Sequence, residues 1–158
     1  MSSDWSFSGA FPGTVSGVVD ATHWIETLSA EQGFPDDLSF GIQLCVEELF
    51  ANVVRHGGGT WLEQPDAADA APSGISMSIK VRRQDDEVTV VLEDNGTPFD
   101  VAAAVPKPVD RPIEAAQPGG LGIQLINKFS SGLTYDRAGG LNRTTLKFLW
   151  PRTEFSLL

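Results

Sequence analysis

The stretch Cys45-Val-Glu-Glu-Leu-Phe-Ala-Asn-Val-Val-Arg-His56 decides the fold, because it places polar side chains at a helical repeat. Glu48, Asn52 and His56 recur every four residues. A step of four advances a helix by only about 40° beyond a full turn, so the three side chains form one row. The row borders an apolar stripe that begins at Ile42. A carboxylate, an amide and an imidazole at the edge of a buried face predict a site for a cation and phosphate chemistry.

Length and composition narrow the functions that this chain can have. Its 158 residues suffice for a core, and we expect a single domain over residues 1–158. The formal net charge of −10 and a pI near 4.4 argue against a nucleic-acid partner and an anionic membrane surface. Neither a signal-peptide pattern nor a run of about 18 apolar residues occurs, so we expect a cytoplasmic protein. The lone Cys45 lies in the apolar stripe, where we expect a buried thiol without a redox or metal role.

Periodicity divides the rest of the chain into strands, helices and loops. Alternating apolar residues predict strands, spacings of three and four predict helices, and glycine or proline marks their ends. These patterns predict strands over 5–11, 75–81, 87–93, 132–136 and 144–150, and helices over 15–32, 36–56 and 119–129. The segment 60–73 has no clear period and is interpreted as a surface loop without chemistry. The segment from about 100 to 120 contains four prolines, and a long loop of this kind predicts a lid.

Three motifs resemble those of the gyrase, heat-shock chaperone, histidine kinase and mismatch-repair (GHKL) ATPase superfamily. Glu48-Leu-Phe-Ala-Asn52 resembles the N box, Asp94-Asn-Gly-Thr-Pro-Phe99 the first glycine box and Gly119-Gly-Leu-Gly122 the second. Each motif is weak alone, but their order and spacing also place the lid between the glycine boxes. The resemblance implies an α+β fold: a two-layer α/β sandwich of the Bergerat type, with helices on one face of a mixed, mostly antiparallel sheet and an ATP lid.

The resemblance implies a role for each residue of the helical row. Asn52 would bind the Mg²⁺ that bridges the ATP phosphates, since a hard cation prefers oxygen ligands. Glu48 would act as general base toward a serine hydroxyl or a water. His56 would either join the phosphate site or help to end its helix near the free carbonyl groups. Taken alone, Glu48 and Asn52 would also fit a solvated helix edge, and Glu47, about 100° away around the helix, lies outside the row.

The resemblance places the nucleotide itself on the glycine boxes. Asp94 would accept a hydrogen bond from the adenine amine and so select adenine over guanine, with Gly96 letting the base approach the backbone. Asp-Asn-Gly after a strand is also an ordinary turn. Thr144 would support Asp94 through its hydroxyl or a water, or would serve only the core. Glycines at a helix start would offer N–H groups to phosphate oxygens. The implied nucleotide-binding residues are Asn52, His56, Asp94, Gly96, Phe99, Gly119, Gly120, Leu121, Gly122 and Thr144.

Within the superfamily, the chain is most similar to bacterial anti-sigma-factor serine kinases, which act by partner switching. The similarity rests on its small size, the row from 48 to 56 and the stretch Asn142-Arg-Thr-Thr-Leu146. The similarity implies an ATP-dependent serine/threonine kinase that regulates transcription. It would hold a sigma factor or another target regulator and phosphorylate a small STAS-domain antagonist. It also implies a homodimer, although core packing equally explains the aromatic residues available for one, which are Trp5, Phe7, Phe11 and Trp24.

Two other functions stay open at this point. Arg143 stands where a glycine often precedes the threonine pair, and the lid offers only Lys107 and Arg111 as cations. These departures favour a nucleotide-gated binding module without kinase activity. A phosphorelay histidine kinase is disfavoured, because His23 has no surrounding phosphoacceptor motif and no pair of dimerisation helices precedes the domain.

Overall fold

A computed structural model describes residues 4–56, 74–101 and 120–152, which form one five-stranded sheet and three helices. In chain order the elements are β1 (Trp5–Pro12), α1 (Val15–Gln32), α2 (Asp36–His56), β2 (Ser76–Gln84), β3 (Glu87–Asp94), α3 (Gly120–Phe129), β4 (Gly132–Ala138) and β5 (Leu141–Leu149). The strand order is β1-β2-β3-β5-β4, and all four neighbouring pairs are antiparallel. This arrangement confirms the predicted α+β class.

The first helix begins and ends at residues whose chemistry sets its limits. Thr14 has an extended backbone and is the N-cap, with its Oγ1 accepting a hydrogen bond from the N–H of Gly17 at 3.1 Å. At the other end Gly33 takes the left-handed conformation, with φ of 67°, and its N–H bonds to the carbonyl of Ser29. The predicted span of 15–32 is therefore confirmed at both ends.

The sheet is buried on one face only. Alternate residues of the three inner strands are buried, and the residues between them are partly or fully exposed. The buried sheet residues share one core cluster with the apolar stripe of α2, in which Ile42, Cys45 and Val46 have no exposed surface. This burial of one sheet face against helices is the two-layer arrangement that the resemblance implies. Core residues contributed by the sheet are Met77, Ile79, Val81, Val88, Val90, Leu92, Leu146 and Phe148.

The register between β3 and β5 brings polar residues into this mostly apolar face. Val90 pairs with Leu146, Leu92 with Thr144, and Asp94 with Asn142. The buried set therefore changes from apolar to polar towards the end of β3. Because pairing with β3 extends to Asp94, β5 begins at Leu141, three residues before the predicted start at 144.

The aromatic residues near the start of the chain mostly serve the core. Trp5 stacks on Phe34 at 5.7 Å between ring centroids, and Phe11 meets Trp24 edge-on at 6.2 Å. Phe7 is 39% exposed, which leaves it available to a partner. Among the described helices, none has the length and apolar character needed to cross a membrane.

Candidate functional site

A small cleft, with a volume of about 20 Å³, lies between α2 and the adjoining ends of β3 and β5. It has apolar walls and a few polar groups, as small-molecule sites usually do. Its lining residues are Leu49, Phe50, Asn52, Val53, Leu92, Asp94, Thr97, Phe99, Val101, Asn142 and Thr144. Four residues predicted to bind nucleotide, Asn52, Asp94, Phe99 and Thr144, therefore meet in one place.

Asp94 is the acidic residue of this cleft and is only 9% exposed. Its Oδ1 accepts two hydrogen bonds of 2.9 Å, from the N–H of Gly96 and from Nδ2 of Asn142. Both of these hydrogen bonds end on Oδ1, and neither uses Oδ2. A carboxylate oxygen is acceptor-only, so Oδ2 can receive a donor such as the exocyclic amine of adenine.

Asn142 is a site residue that the sequence reasoning did not single out. It is 4% exposed, and its Nδ2 also donates to the carbonyl of Thr97 at 2.9 Å. Its Oδ1 accepts from the hydroxyl of Tyr135 at 2.5 Å and from Nη1 of Arg137 at 2.8 Å. Strand alternation was the available signal, because Asn142 lies two residues before Thr144 on the same face of β5.

Glu48 sits at the boundary between α2 and solvent, where it is partly buried. Burial raises the pKa of its carboxyl group, the positive charge of Arg55 opposes this rise, and the negative charge of Glu47 adds to it. Glu47 itself is exposed, in keeping with its place outside the row. A carboxylate with a raised pKa is suited to general-base chemistry. Glu48 is not among the described residues that line the cleft.

Cys45 lies one turn before Leu49 and has no exposed surface, as expected from the apolar stripe. Burial, and secondarily the charge of Glu48, raises the pKa of its thiol to about 12. The thiol is therefore protonated at neutral pH and is a poor nucleophile and metal ligand.

Asn52 is 3% exposed and lines the cleft. The described residues contain no cluster of three or more acidic, histidine or cysteine side chains that could hold a metal. An amide oxygen facing a cleft does fit Mg²⁺, which commonly takes one or two protein oxygens and completes its shell with phosphates and water.

His56 lies at the C-terminal end of α2, outside the described lining of the cleft. His56 is exposed, and its ring stacks on Phe99 with 5.4 Å between centroids and an angle of 19°. Phe99 lines the cleft, whereas His56 does not belong to the described lining. A direct role of His56 at phosphate stays a prediction.

The second glycine box opens α3, as predicted. The helix begins at Gly120, so the backbone N–H groups of its first turn, including that of Gly122, have no partner within the helix. Such groups can bind phosphate oxygens. Gly119 and most of the predicted lid lie outside the described residues.

Successive residues of β5 point to opposite faces of the sheet, so Thr144 and Arg143 lie on different faces. Thr144 is 7% exposed and lines the cleft, while the direct side-chain bond to Asp94 comes from Asn142. Arg143 is exposed on the other face of the sheet, where it pairs with Glu93 at 3.2 Å and Asp136 at 3.7 Å. The departure at Arg143 therefore does not reach the cleft.

Comparisons with known proteins show the family of the chain. A family model described as a histidine kinase-like ATPase domain matches residues 11–148. The chain is 30% identical over 133 residues to the serine/threonine-protein kinase BtrW of Bordetella bronchiseptica, and the match covers 84% of this chain and 86% of that protein.

Two solved structures resemble the chain at lower identity. The RsbU and RsbW domains of Rv1364c from Mycobacterium tuberculosis match with a TM-score of 0.59 and 15% identity, covering 94% of this chain and 33% of that one. This chain thus spans about a third of that protein. The SiaB–SiaC complex from Pseudomonas aeruginosa matches with a TM-score of 0.53 and 13% identity, covering 90% and 89%. At these identities the likeness shows the fold alone.

Proposed function

Because the chain belongs to the histidine kinase-like ATPase domain family, we propose that it is an ATP-dependent serine/threonine protein kinase of the partner-switching type. The observation that carries the proposal is a pair on α2. Glu48 has a raised pKa, and one turn later Asn52, which is 3% exposed, lines the cleft. The 30% identity to a serine/threonine kinase, over 86% of that kinase, supports phosphoryl transfer to a protein.

The nucleotide would bind by contacts that the cleft already offers. The Oδ2 atom of Asp94 would accept the adenine amine, and Phe99 would contribute apolar surface beside the base. The N–H groups at the start of α3, from Gly120 to Gly122, would receive phosphate oxygens. The amide oxygen of Asn52 would hold Mg²⁺, which would offset the negative charge of the phosphates when bound.

Glu48 would supply the general base for transfer. It would take the proton of the acceptor hydroxyl as that oxygen forms a bond to the γ-phosphorus and the bond from phosphorus to the bridging oxygen breaks, with ADP leaving. The raised pKa of Glu48 makes its carboxylate a better proton acceptor than an exposed one.

The acidic character of the chain suggests how transfer would switch partners. A phosphoserine adds about two negative charges, and the chain has a net charge of −10, so phosphorylation of a bound STAS-domain antagonist would weaken that complex by repulsion. The kinase would then be free to hold a sigma factor or another regulator in the cytoplasm.

A homodimer belongs to the same proposal. Phe7 on the edge strand β1 is 39% exposed and Val19 on α1 is 50% exposed, and both offer apolar surface. Phe7→Ser should shift the sedimentation coefficient towards that of a monomer without lowering the melting temperature. An unchanged coefficient would remove β1 from the dimer interface.

A nucleotide-gated binding module without transfer is the second candidate, and one observation favours it. Glu48 does not belong to the described lining of the cleft, so nucleotide could bind without meeting a base. The two lid cations that bear on this alternative, Lys107 and Arg111, lie outside the described residues.

Label transfer separates the two candidates. The protein is mixed with Mg²⁺, γ-labelled ATP and the small STAS-domain protein encoded nearest to it, beside Glu48→Gln and the matched control Glu47→Gln. We expect transfer by the wild type and by Glu47→Gln, and a loss of about 10²- to 10⁴-fold for Glu48→Gln. Binding of ATP and partner without any transfer would select the binding module, and absence of ATP binding would refute both.

A further inference from the structure

Asn142 connects two parts of the fold that are distant in sequence. Asp94 ends β3 and is followed by the turn that holds Gly96 and Thr97, while Tyr135 and Arg137 belong to the edge strand β4. The side chain of Asn142 lies between these groups and forms hydrogen bonds with both sides.

The orientation of this side chain follows from the chemistry of its partners. A guanidinium has donors only, so the group that faces Nη1 of Arg137 must be the oxygen of Asn142. A carboxylate and a carbonyl have acceptors only, so the group that faces Asp94 and Thr97 must be the NH₂. Neither a carboxylate nor a flipped amide satisfies both sides.

We propose that Asn142, held by Arg137 and Tyr135, is the positioning residue that gives the site its selectivity for the adenine amine. This inference rests on the proposed ATP site. By donating to Oδ1 of Asp94, which lines the cleft, Asn142 fixes the carboxylate and leaves Oδ2 as the acceptor for the ligand. By donating to the carbonyl of Thr97, it holds the turn against β5.

The burial of the network makes the positioning effective. Asn142 is 4% exposed and Asp94 is 9% exposed, so water has little access to replace these bonds. Arg137 also holds the turn directly, because its Nη1 donates a hydrogen bond to the carbonyl of Gly96 at 3.2 Å. A hydrogen bond to a charged group in such a setting is stronger than one between neutral groups.

Asn142→Asp is the sharpest test, because it keeps the shape and the acceptor for Arg137 but replaces the NH₂ with an oxygen. That oxygen would repel Asp94 and the carbonyl of Thr97. The matched control is Asn95→Asp, which adds the same charge next to Asp94, in the turn that Asn142 holds. The Asn95 amide bonds instead to Ser76 and Gly74, away from the cleft.

The readout is the ratio of two dissociation constants, measured by calorimetry, for ATP and for the triphosphate of unsubstituted purine riboside. The two ligands differ only in the exocyclic amine, so general loosening of the pocket would weaken both and leave the ratio intact. We expect wild type and Asn95→Asp to prefer ATP by about 10- to 100-fold, and Asn142→Asp to prefer it by less than about 3-fold.

The possible outcomes separate this inference from the proposed function. Wild-type discrimination retained by a folded Asn142→Asp would overturn the positioning role while leaving the ATP site intact. If the wild type binds neither triphosphate, the ATP site itself is wrong and the inference is refuted with it. If Asn142→Asp does not fold, the exposed Arg137→Met decides: a reduced ratio supports the inference, and an unchanged ratio refutes it.

Discussion

Replacing Asp94 with asparagine should reverse the preference of the site for the purine base. In the wild type, Oδ1 accepts from Gly96 and Asn142, and Asp94 lines the cleft, so Oδ2 is the acceptor proposed for the base. In Asp94→Asn the single oxygen would stay with the two protein donors, and the new NH₂ would take the place of Oδ2. A donor would then meet the adenine amine, which is also a donor.

The magnitude follows from the bonds that change. Loss of one hydrogen bond to a charged acceptor weakens binding by about 1.5–3 kcal/mol, or about 10- to 150-fold in the dissociation constant of ATP. Inosine triphosphate carries a carbonyl at that position and would accept from the new NH₂. The two protein bonds to Oδ1 would each lose about 1 kcal/mol of charge assistance, so the free energy of unfolding should fall by no more than about 2 kcal/mol.

Calorimetric titration with both triphosphates tests this reversal. Glu93→Gln is the matched control, because it removes the same charge from β3 on the outer face, where Glu93 pairs with Arg143. We expect the control to prefer ATP as the wild type does. A folded Asp94→Asn that still prefers ATP over inosine triphosphate would show that Asp94 does not contact the amine.

Three further changes test other parts of the fold. Glu48→Gln should be more stable than the wild type at neutral pH. The pKa of Glu48 is raised in the folded state, so the wild type loses stability as pH rises through that pKa. Urea unfolding should show that the difference in unfolding free energy between the two proteins disappears below about pH 4. Asn52→Ala should abolish the Mg²⁺-dependent part of ATP affinity and leave the Mg²⁺-free part within about 2-fold, measured by titration with and without chelator. Gly17→Ala should lower the free energy of unfolding by about 1–3 kcal/mol, because the new Cβ would lie 1.8 Å from the carbonyl oxygen of Pro12. This clash should outweigh the higher helix propensity of alanine. An unchanged free energy of unfolding would contradict the close packing of Gly17 against Pro12.

The sequence predicted the helices well because local chemistry marks their ends. Gly33 closes α1 in the left-handed conformation, and Asp36 and Asp37 lie in the first turn of α2. The spacing along α2 also put Glu48 and Asn52 on one row, and Asn52 does line the cleft. These features depend on residues within one turn of one another.

The parts of the site that the sequence did not predict depend on contacts between residues that are far apart in the sequence. Asn142 follows the Gly139-Gly140 turn, so locally it resembles a turn residue. Its role comes from the register that sets it opposite Asp94, 48 positions earlier; alternation along β5 gives the face on which Asn142 lies but does not identify this partner. The contact of His56 was also not predictable from the sequence, because its position on the helical row does not indicate that its ring stacks on Phe99.

The cleft draws its walls from α2, β3 and β5, between Leu49 and Thr144, so it exists only after most of the chain has folded. A ligand that binds there binds no unfolded molecule, and by mass action it adds about 2.7 kcal/mol to stability when its concentration is a hundred times its dissociation constant. ATP, the proposed ligand, would in this way slow the degradation of the protein by proteases that act on unfolded molecules.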